Sequence, residues 1–342
     1  MNRARKSRKS NGPIVLTILL LVVIGVGLFG IYRWQRQQDE QAAALAAAAE
    51  AEEDYLGKKL VLHVDGEDYA LRSDLDTYLI IGLDKFTDTL SDPSYHTNNQ
   101  QADFLFLMVV DKTAKSYTAI HLNRDAMTEI QRLGMSGKKI GTFTGQLALS
   151  HTFGSGEKDS CRNTVLAVSR YLLDVPVEHY FSLTMDAIPM LNDLVGGVTV
   201  HIDDDFSAID PSLEQGKDIR LKGQQALTFV RSRHHVDDGS NLSRMNRQRE
   251  YIRGLYEQIS KLLQESDSFA RSLASHLADF SVSDLTTTDL ANLADQLKDY
   301  RFTGIRTIAG EAKLGEKYIE FYTDEDALQS LVLELFFQKA KS

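Results

Sequence analysis

The longest uninterrupted apolar stretch of the chain lies near its start, over residues 13–32. It contains no charged side chain and is rich in Leu, Val and Ile. A helix rises about 1.5 Å per residue, so a stretch of this length spans about 30 Å, the thickness of the hydrocarbon core of a bilayer. The pattern therefore predicts one transmembrane helix over residues 13–32.

The polar pattern after this stretch divides the rest of the chain into two parts. Residues 33–54 have high helix propensity but almost no large apolar side chain, so they can form a helix that buries nothing. We interpret them as a helical stalk. Between residues 55 and 342 there is no second linker, internal repeat or Gly/Ser tract, which predicts one continuous domain.

The distribution of charge predicts the orientation of the span. Residues 1–12 form a basic tail without an acidic side chain, whereas the whole chain has a net charge of −10. By the positive-inside rule, the tail faces the cytoplasm and the domain lies outside it. The alternative is a cleaved signal peptide with its cleavage site among the alanines of residues 42–49, although the apolar run is longer than such peptides usually have. The acidic balance argues against general binding of nucleic acid.

Three apolar runs within the domain are typical of buried strands: residues 78–83, 104–110 and 117–122. Polar loops separate them, and the pattern is compatible with an antiparallel meander. In a meander the end of the first strand, the start of the second and the end of the third lie at the same edge of the sheet.

Each of these three strand ends carries a charged residue: Asp84, Asp103 and Arg124. We expect them to converge at the sheet edge. Two carboxylates supply the hard oxygen ligands that Mg²⁺ prefers, and an arginine beside them suits a phosphate. The alternative is that each is a turn former or a solvated strand end.

A second group of basic residues follows in the segment 227–233. Read as a strand, this segment places Arg231 and Arg233 on one face, continuing the face of Leu227 and Phe229. Like charges on a half-apolar face are costly without an anion between them, so we expect both arginines to bind an anion. The alternative is an exposed strand end.

A helix is predicted to begin close to this segment, with Asn241 or Ser243 as its N-cap. Its first turns carry Arg244, Arg247 and Gln248, which share one face at i, i+3 and i+4. The free N–H groups and the dipole at a helix N-terminus already favour an anion, so these three residues are candidates for substrate binding. The alternative is a solvated helix face.

Taken in order along residues 75–340, these motifs resemble the LytR-CpsA-Psr family of cell-envelope glycopolymer transferases. The motifs that carry the resemblance are Ile81-Gly82-Leu83-Asp84, Ala102-Asp103, Leu122-Asn123-Arg124-Asp125, Leu194-Val195-Gly196-Gly197-Val198-Thr199-Val200, Leu221-Lys222-Gly223-Gln224-Gln225-Ala226-Leu227, Arg231-Ser232-Arg233 and Arg244-x-x-Arg247-Gln248. Members of this family are single-span membrane proteins with the catalytic domain outside the cytoplasm, which agrees with the topology predicted above.

The resemblance implies a three-layer α/β/α fold with a central mixed sheet and a hydrophobic tunnel for a polyprenyl chain. It implies that Asp84 and Asp103 hold Mg²⁺. It further implies that five residues contact the pyrophosphate of the carrier: Arg124, Arg231, Arg233, Arg244 and Gln248. Residues 165–175 and 188–195 are candidates for tunnel walls, with a plain core position as the equal alternative.

The sequence departs from the family pattern at two positions. Gln101 stands where an arginine is usual, and Asn241 stands where an acid is usual. We expect one supporting ion pair to be lost. The long loop over residues 85–101 is a candidate lid or acceptor-binding element.

The activity implied by the resemblance is transfer of a phospho-glycopolymer from a polyprenyl-pyrophosphate carrier to peptidoglycan, with a muramic acid hydroxyl as acceptor. Asp125 is a candidate general base by position; the alternative is a structural partner of Arg124. Two other functions stay open at this point: a non-catalytic, membrane-tethered binder or regulator, and an Mg²⁺-dependent lipid pyrophosphatase that uses water as acceptor.

The predicted topology can be tested on intact cells stripped of their wall. Because the basic tail is expected inside and the domain outside, added protease should digest a C-terminal epitope tag and spare an N-terminal one. Immunoblots against both tags measure the outcome. A C-terminal tag that survives in intact cells but is digested after lysis would contradict the orientation.

Overall fold

The computed structural model describes residues 61–86, 91, 95–236 and 238–340. These residues belong to one unit, Lys59–Ser342, of the two into which the chain divides. The predicted basic tail, the span over residues 13–32 and the stalk lie outside the described residues. Within the described ranges, no helix has both the length and the hydrophobicity needed to cross a membrane.

The described chain begins with seven strands in succession, and helices and further strands follow. The strands are β1 Val61–Val64, β2 Glu67–Leu71, β3 Leu75–Leu83, β4 Phe104–Asp111, β5 Ser116–Leu122, β6 Met127–Leu133, β7 Lys139–Gln146, β8 His179–Thr184, β9 Thr199–His201, β10 Asp218–Arg220, β11 Ser281–Ser283, β12 Arg301–Arg306, β13 Gly310–Leu314, β14 Ile319–Thr323 and β15 Phe337–Lys339. The helices are α1 Lys158–Tyr171, α2 Ala187–Leu194, α3 Gln224–Arg231, α4 Asn241–Glu265, α5 Phe269–Ala278, α6 Thr287–Leu297 and α7 Glu325–Phe336, with a 3-10 helix at Leu147–Thr152.

The centre of the domain is a six-stranded mixed sheet with the strand order β11-β8-β3-β4-β5-β12. Strands β3, β4 and β5 form the antiparallel meander that the three apolar runs predicted. Strand β8 is parallel to β3, and β12 is parallel to β5. The predicted mixed α/β fold is therefore confirmed.

One face of this sheet is close-packed. Along β3 the alternate residues Leu75, Leu79, Ile81 and Leu83 are buried, as the period of two in a strand requires. They join one hydrophobic core with side chains of α1 and α7. The segment 165–175, a candidate tunnel wall, contributes Val168, Tyr171, Leu172 and Val175 to this core; the plain core interpretation therefore holds for it.

The opposite face of the sheet is apolar but only partly covered. Ile80 on β3 and Phe104 and Met108 on β4 lie on this face, and all three are partly exposed. Helix α4 meets the same face at the start of β5, where the ring of Tyr256 contacts that of Tyr117 with centroids 6.3 Å apart. The sheet thus has a packed side and a side with room beside it.

A second hydrophobic core joins the helices that follow β8. It contains residues of α2 to α5 together with Val200 of β9. Leu191 and Val195, from the second candidate tunnel-wall segment, are buried in this core. The aromatic pair Phe206 and Phe229 lies within it, with ring centroids 5.9 Å apart. This core packs α3 and α4 against one another.

Two local predictions are wrong. The segment with Arg231 and Arg233 is not a strand, because helix α3 runs to Arg231 and an extended backbone follows from Ser232. The buried residues Ala226, Leu227, Phe229 and Val230 recur at helical spacing, a pattern that a window starting at Leu227 conceals. The N-cap of α4 is Ser240, rather than Asn241 or Ser243, and its side chain accepts a hydrogen bond from the Ser243 N–H.

At the end of β3, the backbones of β3 and β4 lie very close together. Gly82 pairs directly with Phe104 across the two strands. A Cβ added at Gly82 would lie only 2.7 Å from the Cβ of Phe104. Only a residue without a side chain therefore allows β3 and β4 to approach this closely next to Asp84 and Asp103.

The contrast between the two sheet faces predicts unequal effects of two neighbouring substitutions. Leu79→Ala leaves a cavity in a close-packed core and should lower the free energy of unfolding by about 2–5 kcal/mol. Ile80→Ala removes a similar side chain from the partly exposed face and should lower it by less than half as much. Urea denaturation of both variants measures the difference, and equal losses would show that the second face is packed as tightly as the first.

Candidate functional site

A cavity of about 390 Å³ lies where the sheet edge meets α3 and α4. Its walls come from the end of β3, the start of β4, the residue after β8, the C-terminal end of α3 and the first turn of α4. The lining residues are Asp84, Asp103, Met185, Arg231, Ser232, Arg233, His234 and Arg244. Five of the residues proposed from sequence thus surround one cavity.

The meander brings its charged strand ends together. Asp103 precedes β4, and its N–H donates to the carbonyl of Gly82 over 2.8 Å. The guanidinium of Arg124, which follows β5, contacts Asp103 and donates to the side-chain oxygen of Gln101. The three expected residues Asp84, Asp103 and Arg124 therefore meet at one sheet edge.

Each of the two acids also faces an arginine from the helices. Arg231 Nη2 lies 3.1 Å from Asp84 Oδ1, with both side chains about half exposed. Arg244 Nη1 lies 3.9 Å from Asp103 Oδ1, and here both side chains are largely buried. In both of these ion pairs the recorded contact is to Oδ1 of the acid.

The arginines of this site are close enough to destabilise one another. Burial lowers the pKa of Arg244 to about 9, and the positive charges of Arg233 and Arg124 add to the effect. Burial also lowers the pKa of Arg124, whereas the negative charge of Asp125 acts to raise it. Arg244 Nε is buried and has no hydrogen-bond partner within the described part of the chain. An anion bound among these groups would stabilise their charged forms.

The two departures from the family pattern lie within this arrangement. Asn241 accepts a hydrogen bond from Arg244 Nη2 over 2.7 Å and donates to Asn123 over 2.8 Å. Gln101 accepts from Arg124. Both positions thus carry neutral amides that accept a hydrogen bond from an arginine, and Arg244 has no adjacent acid at position 241.

Asp125 lies behind Arg124, and it is not one of the residues that line the cavity. Its Oδ1 is 3.4 Å from Arg124 Nε and accepts a hydrogen bond from Gln146 Nε2 over 3.1 Å. Burial raises the pKa of Asp125, and the neighbouring Arg124 opposes that rise. These contacts correspond to the structural alternative, in which Asp125 orients Arg124.

Arg247 and Gln248 are buried on α4 but turn towards α3. Arg247 donates to the backbone carbonyls of Phe229 and Ser232 and pairs with Asp204. Gln248 Nε2 donates to the carbonyl of Val230 over 3.3 Å. Neither residue lines the cavity. Substrate binding by Arg247 stays a prediction; in the structure its guanidinium holds the C-terminal end of α3, which carries Arg231.

Sequence reasoning missed three residues of the cavity wall. Ser232 and His234 flank Arg233, so their positions follow once that segment is placed. Met185 comes directly after β8 and its N–H donates to the carbonyl of Leu83 over 2.8 Å. That contact joins the ends of β3 and β8, which lie about a hundred residues apart in the sequence. No local sequence pattern predicts it.

The candidate lid over residues 85–101 is described only in part. In the part that the structure describes, Asn98 is buried and its amide donates to the carbonyls of His151 and Gly154 and to Ser160 Oγ, each over 3.0 Å. The C-terminal portion of this loop is therefore anchored to the domain. Residues 87–90 and 92–94 of the loop lie outside the described residues.

A magnesium site fits the acids of the cavity. In the described ranges, no three His, Cys, Asp or Glu side chains group to hold a metal ion. Mg²⁺ needs no such group, because it usually binds through one or two carboxylates and fills its other positions with water and substrate phosphates. Asp84 and Asp103, which line the same cavity, meet this requirement.

The chain forms an α/β domain in which two carboxylates and three arginines line one cavity beside a partly covered apolar sheet face. Comparison of the sequence with known families agrees with this class. Residues 35–335 match the LytR_cpsA_psr family, and the chain belongs to that family.

Named relatives have similar lengths and folds. The chain is 26% identical over 340 residues to the polyisoprenyl-teichoic acid–peptidoglycan teichoic acid transferase TagU of Bacillus subtilis strain 168, covering 98% of this chain and 97% of that protein. This chain has the same fold as the crystal structure of B. subtilis TagV. The two are 19% identical in sequence, with a TM-score of 0.59 over 78% of this chain and 97% of that one. Protein gbs0355 of Streptococcus agalactiae gives a TM-score of 0.61 at 19% identity over 77% of this chain and 87% of that one.

The arginine cluster predicts that inorganic pyrophosphate stabilises the protein. Arg231→Ala should weaken pyrophosphate binding by about ten- to a hundredfold, because a charge-assisted contact contributes about 1.5–3 kcal/mol. Arg253→Ala is the matched control, since it removes the same charge from an exposed position on α4 outside the cavity. Thermal melting at increasing pyrophosphate concentrations measures both. Equal affinity in the two variants would show that the anion binds elsewhere.

Proposed function

We propose that this protein transfers a phospho-glycopolymer from a polyprenyl-pyrophosphate carrier to peptidoglycan. The observation that carries the proposal is the position of Arg244, a buried arginine that shares one cavity with Arg231, Arg233 and the two acids. Such a cluster is costly in the empty protein and favourable around a pyrophosphate. The B. subtilis relative TagU is named as a transferase of teichoic acid to peptidoglycan, which supports the same reaction class.

The partly covered sheet face suits the carrier's prenyl chain. Phe104 follows Asp103 directly, so the apolar surface begins one residue away from the cavity. Ile80 and Met108 continue it along β3 and β4. In this proposal the pyrophosphate occupies the cavity, and the prenyl chain lies against this face in the tunnel that the family resemblance implies.

The proposed location is the outer side of the cell membrane. The basic tail, residues 1–12, and the apolar segment, residues 13–32, would anchor the chain with a single span and its N-terminus in the cytoplasm. A carrier held in the same membrane would then reach the domain without leaving the bilayer.

In the transfer, the acceptor hydroxyl oxygen forms a bond to the phosphorus that bears the glycopolymer. The bond from that phosphorus to the bridging oxygen breaks, polyprenyl phosphate departs, and the hydroxyl proton ends on the departing phosphate or in water. Arg231, Arg233 and Arg244 neutralise the charge that develops on the phosphate oxygens. Arg124 orients Asp103, and Arg247 and Gln248 hold the end of α3 that presents Arg231.

Mg²⁺ would be held by Asp84 and Asp103. When bound, it would act as a Lewis acid on the phosphate oxygens.

The experiment that tests the function uses the full-length protein purified in detergent. It is incubated with a lipid-pyrophosphate-linked saccharide, Mg²⁺ and a peptidoglycan oligomer, and covalent saccharide on the oligomer is scored by mass spectrometry. Coupled product is expected. Lipid binding without turnover would establish the binder or regulator instead, and release of saccharide phosphate without coupling would establish the pyrophosphatase.

The acids predict a metal requirement in this assay. Asp84→Asn and Asp103→Asn should each abolish transfer, because a neutral amide is a poor ligand for Mg²⁺. Asp84→Asn is the cleaner test, since this side chain is half exposed and its loss should leave the melting temperature nearly unchanged. Asp279→Asn, an exposed acid outside the cavity, is the control. Wild-type turnover in excess chelator would contradict the role of the metal.

A further inference from the structure

His234 lines the cavity from the segment that follows α3. The residue is exposed to solvent, whereas Arg244, which lines the same cavity, is only 3% exposed. No hydrogen bond or ion pair ties the imidazole to another residue in the part of the chain that the structure describes. Its ring nitrogens are therefore available to a ligand that enters the cavity from solvent.

Most of the other groups on the cavity wall cannot take a proton from a hydroxyl. The guanidiniums of Arg231 and Arg233 carry no free lone pair when charged. Arg244 has a pKa lowered to about 9 and still carries its proton at neutral pH. The Ser232 hydroxyl and the Met185 thioether are not bases in this range.

The two acids of the wall are already engaged. Asp84 pairs with Arg231, and Asp103 contacts Arg124 and Arg244. In the proposed reaction both acids also hold Mg²⁺, and a carboxylate that shares its lone pairs with a cation is a weak base. Of the residues that line the cavity, His234 is the one that has a basic nitrogen and no other task.

The burial of the wall indicates where the two substrates enter. The apolar sheet face begins at Phe104, directly after Asp103, so the prenyl chain and its phosphate belong at the buried part of the cavity. The acceptor comes from solvent. Attacking and leaving oxygens lie roughly in line across the phosphorus, so a base for the acceptor must stand on the solvent side. His234 is exposed and meets this condition.

We propose that His234 is the general base that takes the proton of the acceptor hydroxyl. This inference rests on the proposed transfer reaction. As the hydroxyl oxygen bonds to phosphorus, its proton passes to the neutral imidazole. The bond from phosphorus to the bridging oxygen breaks, and its electron pair stays on the departing polyprenyl phosphate. The imidazolium then gives the proton to that phosphate or to water, so no further reactant is needed.

The charged groups around His234 set what a pH profile can show. Histidine is the side chain that ordinarily changes charge between about pH 5 and 8, whereas carboxylates and guanidiniums ordinarily keep their charge there. The charged residues that share the cavity with His234 are Asp84, Asp103, Arg231, Arg233 and Arg244. A change of rate in this interval that disappears with the imidazole would therefore come from His234.

The test uses the full-length protein in detergent, a lipid-pyrophosphate-linked saccharide, Mg²⁺ and a peptidoglycan oligomer. His234→Asn should lower kcat about a hundredfold or more, because a general base contributes about 10²–10⁴-fold, and should leave the acceptor KM within about twofold. The wild-type rate should fall towards pH 5, and the variant should lack this fall. His235→Asn is the matched control, since His235 is the exposed neighbour outside the cavity and its φ of 63° suits asparagine.

The stabilisation by inorganic pyrophosphate is measured on both variants, and it should equal that of the wild type. Coupled product from His234→Asn at the wild-type rate overturns the base and leaves the transferase standing. A slow His234→Asn that also loses the pyrophosphate stabilisation overturns it too, because His234 would then bind the donor. Absence of coupled product from the wild type overturns the base together with the proposed function.

Discussion

The site depends on the contact between Arg124 and Asp103 at the edge of the central sheet. It joins the end of β5 to the start of β4, and thereby sets where the acid, the arginine and the first turn of α4 stand relative to one another. Both side chains are largely buried, so breaking the pair would leave an uncompensated charge, which is far more costly than the pair itself is favourable. The surrounding elements are arranged to keep this contact in place.

Support for the contact comes from several directions. Asp125 and Gln101 hold the guanidinium of Arg124 from either side. Arg247 performs the corresponding task for the end of α3, through carbonyls and Asp204. A group of cations that repel one another is thus assembled by contacts made outside the cavity, which leaves the groups inside it available for a ligand. This division between supporting and ligand-facing residues explains why buried charges are tolerated here.

The parts of the fold that sequence could predict are those fixed by local patterns. The three apolar runs of β3, β4 and β5 determine the meander, and the meander determines that Asp84, Asp103 and Arg124 meet. Leu227 and Phe229, two residues apart, indicate a strand when taken alone, and only the buried Ala226 and Val230 beside them indicate the helix that this segment forms. The direction of the Arg247 side chain depends on how α3 packs against α4, which spacing along the chain does not show.

Gly82 shapes the site although it has no functional group of its own. It has no side chain to bind a ligand, yet its hydrogen atom is what lets β3 and β4 close to the distance at which Phe104 fits beside it. A methyl group there would push Phe104 away and carry the adjoining Asp103 with it, while every polar atom of the cavity stayed present. A substitution at Gly82 should therefore impair the protein as the loss of an acidic residue does. Glycine carries no functional group that would explain this effect.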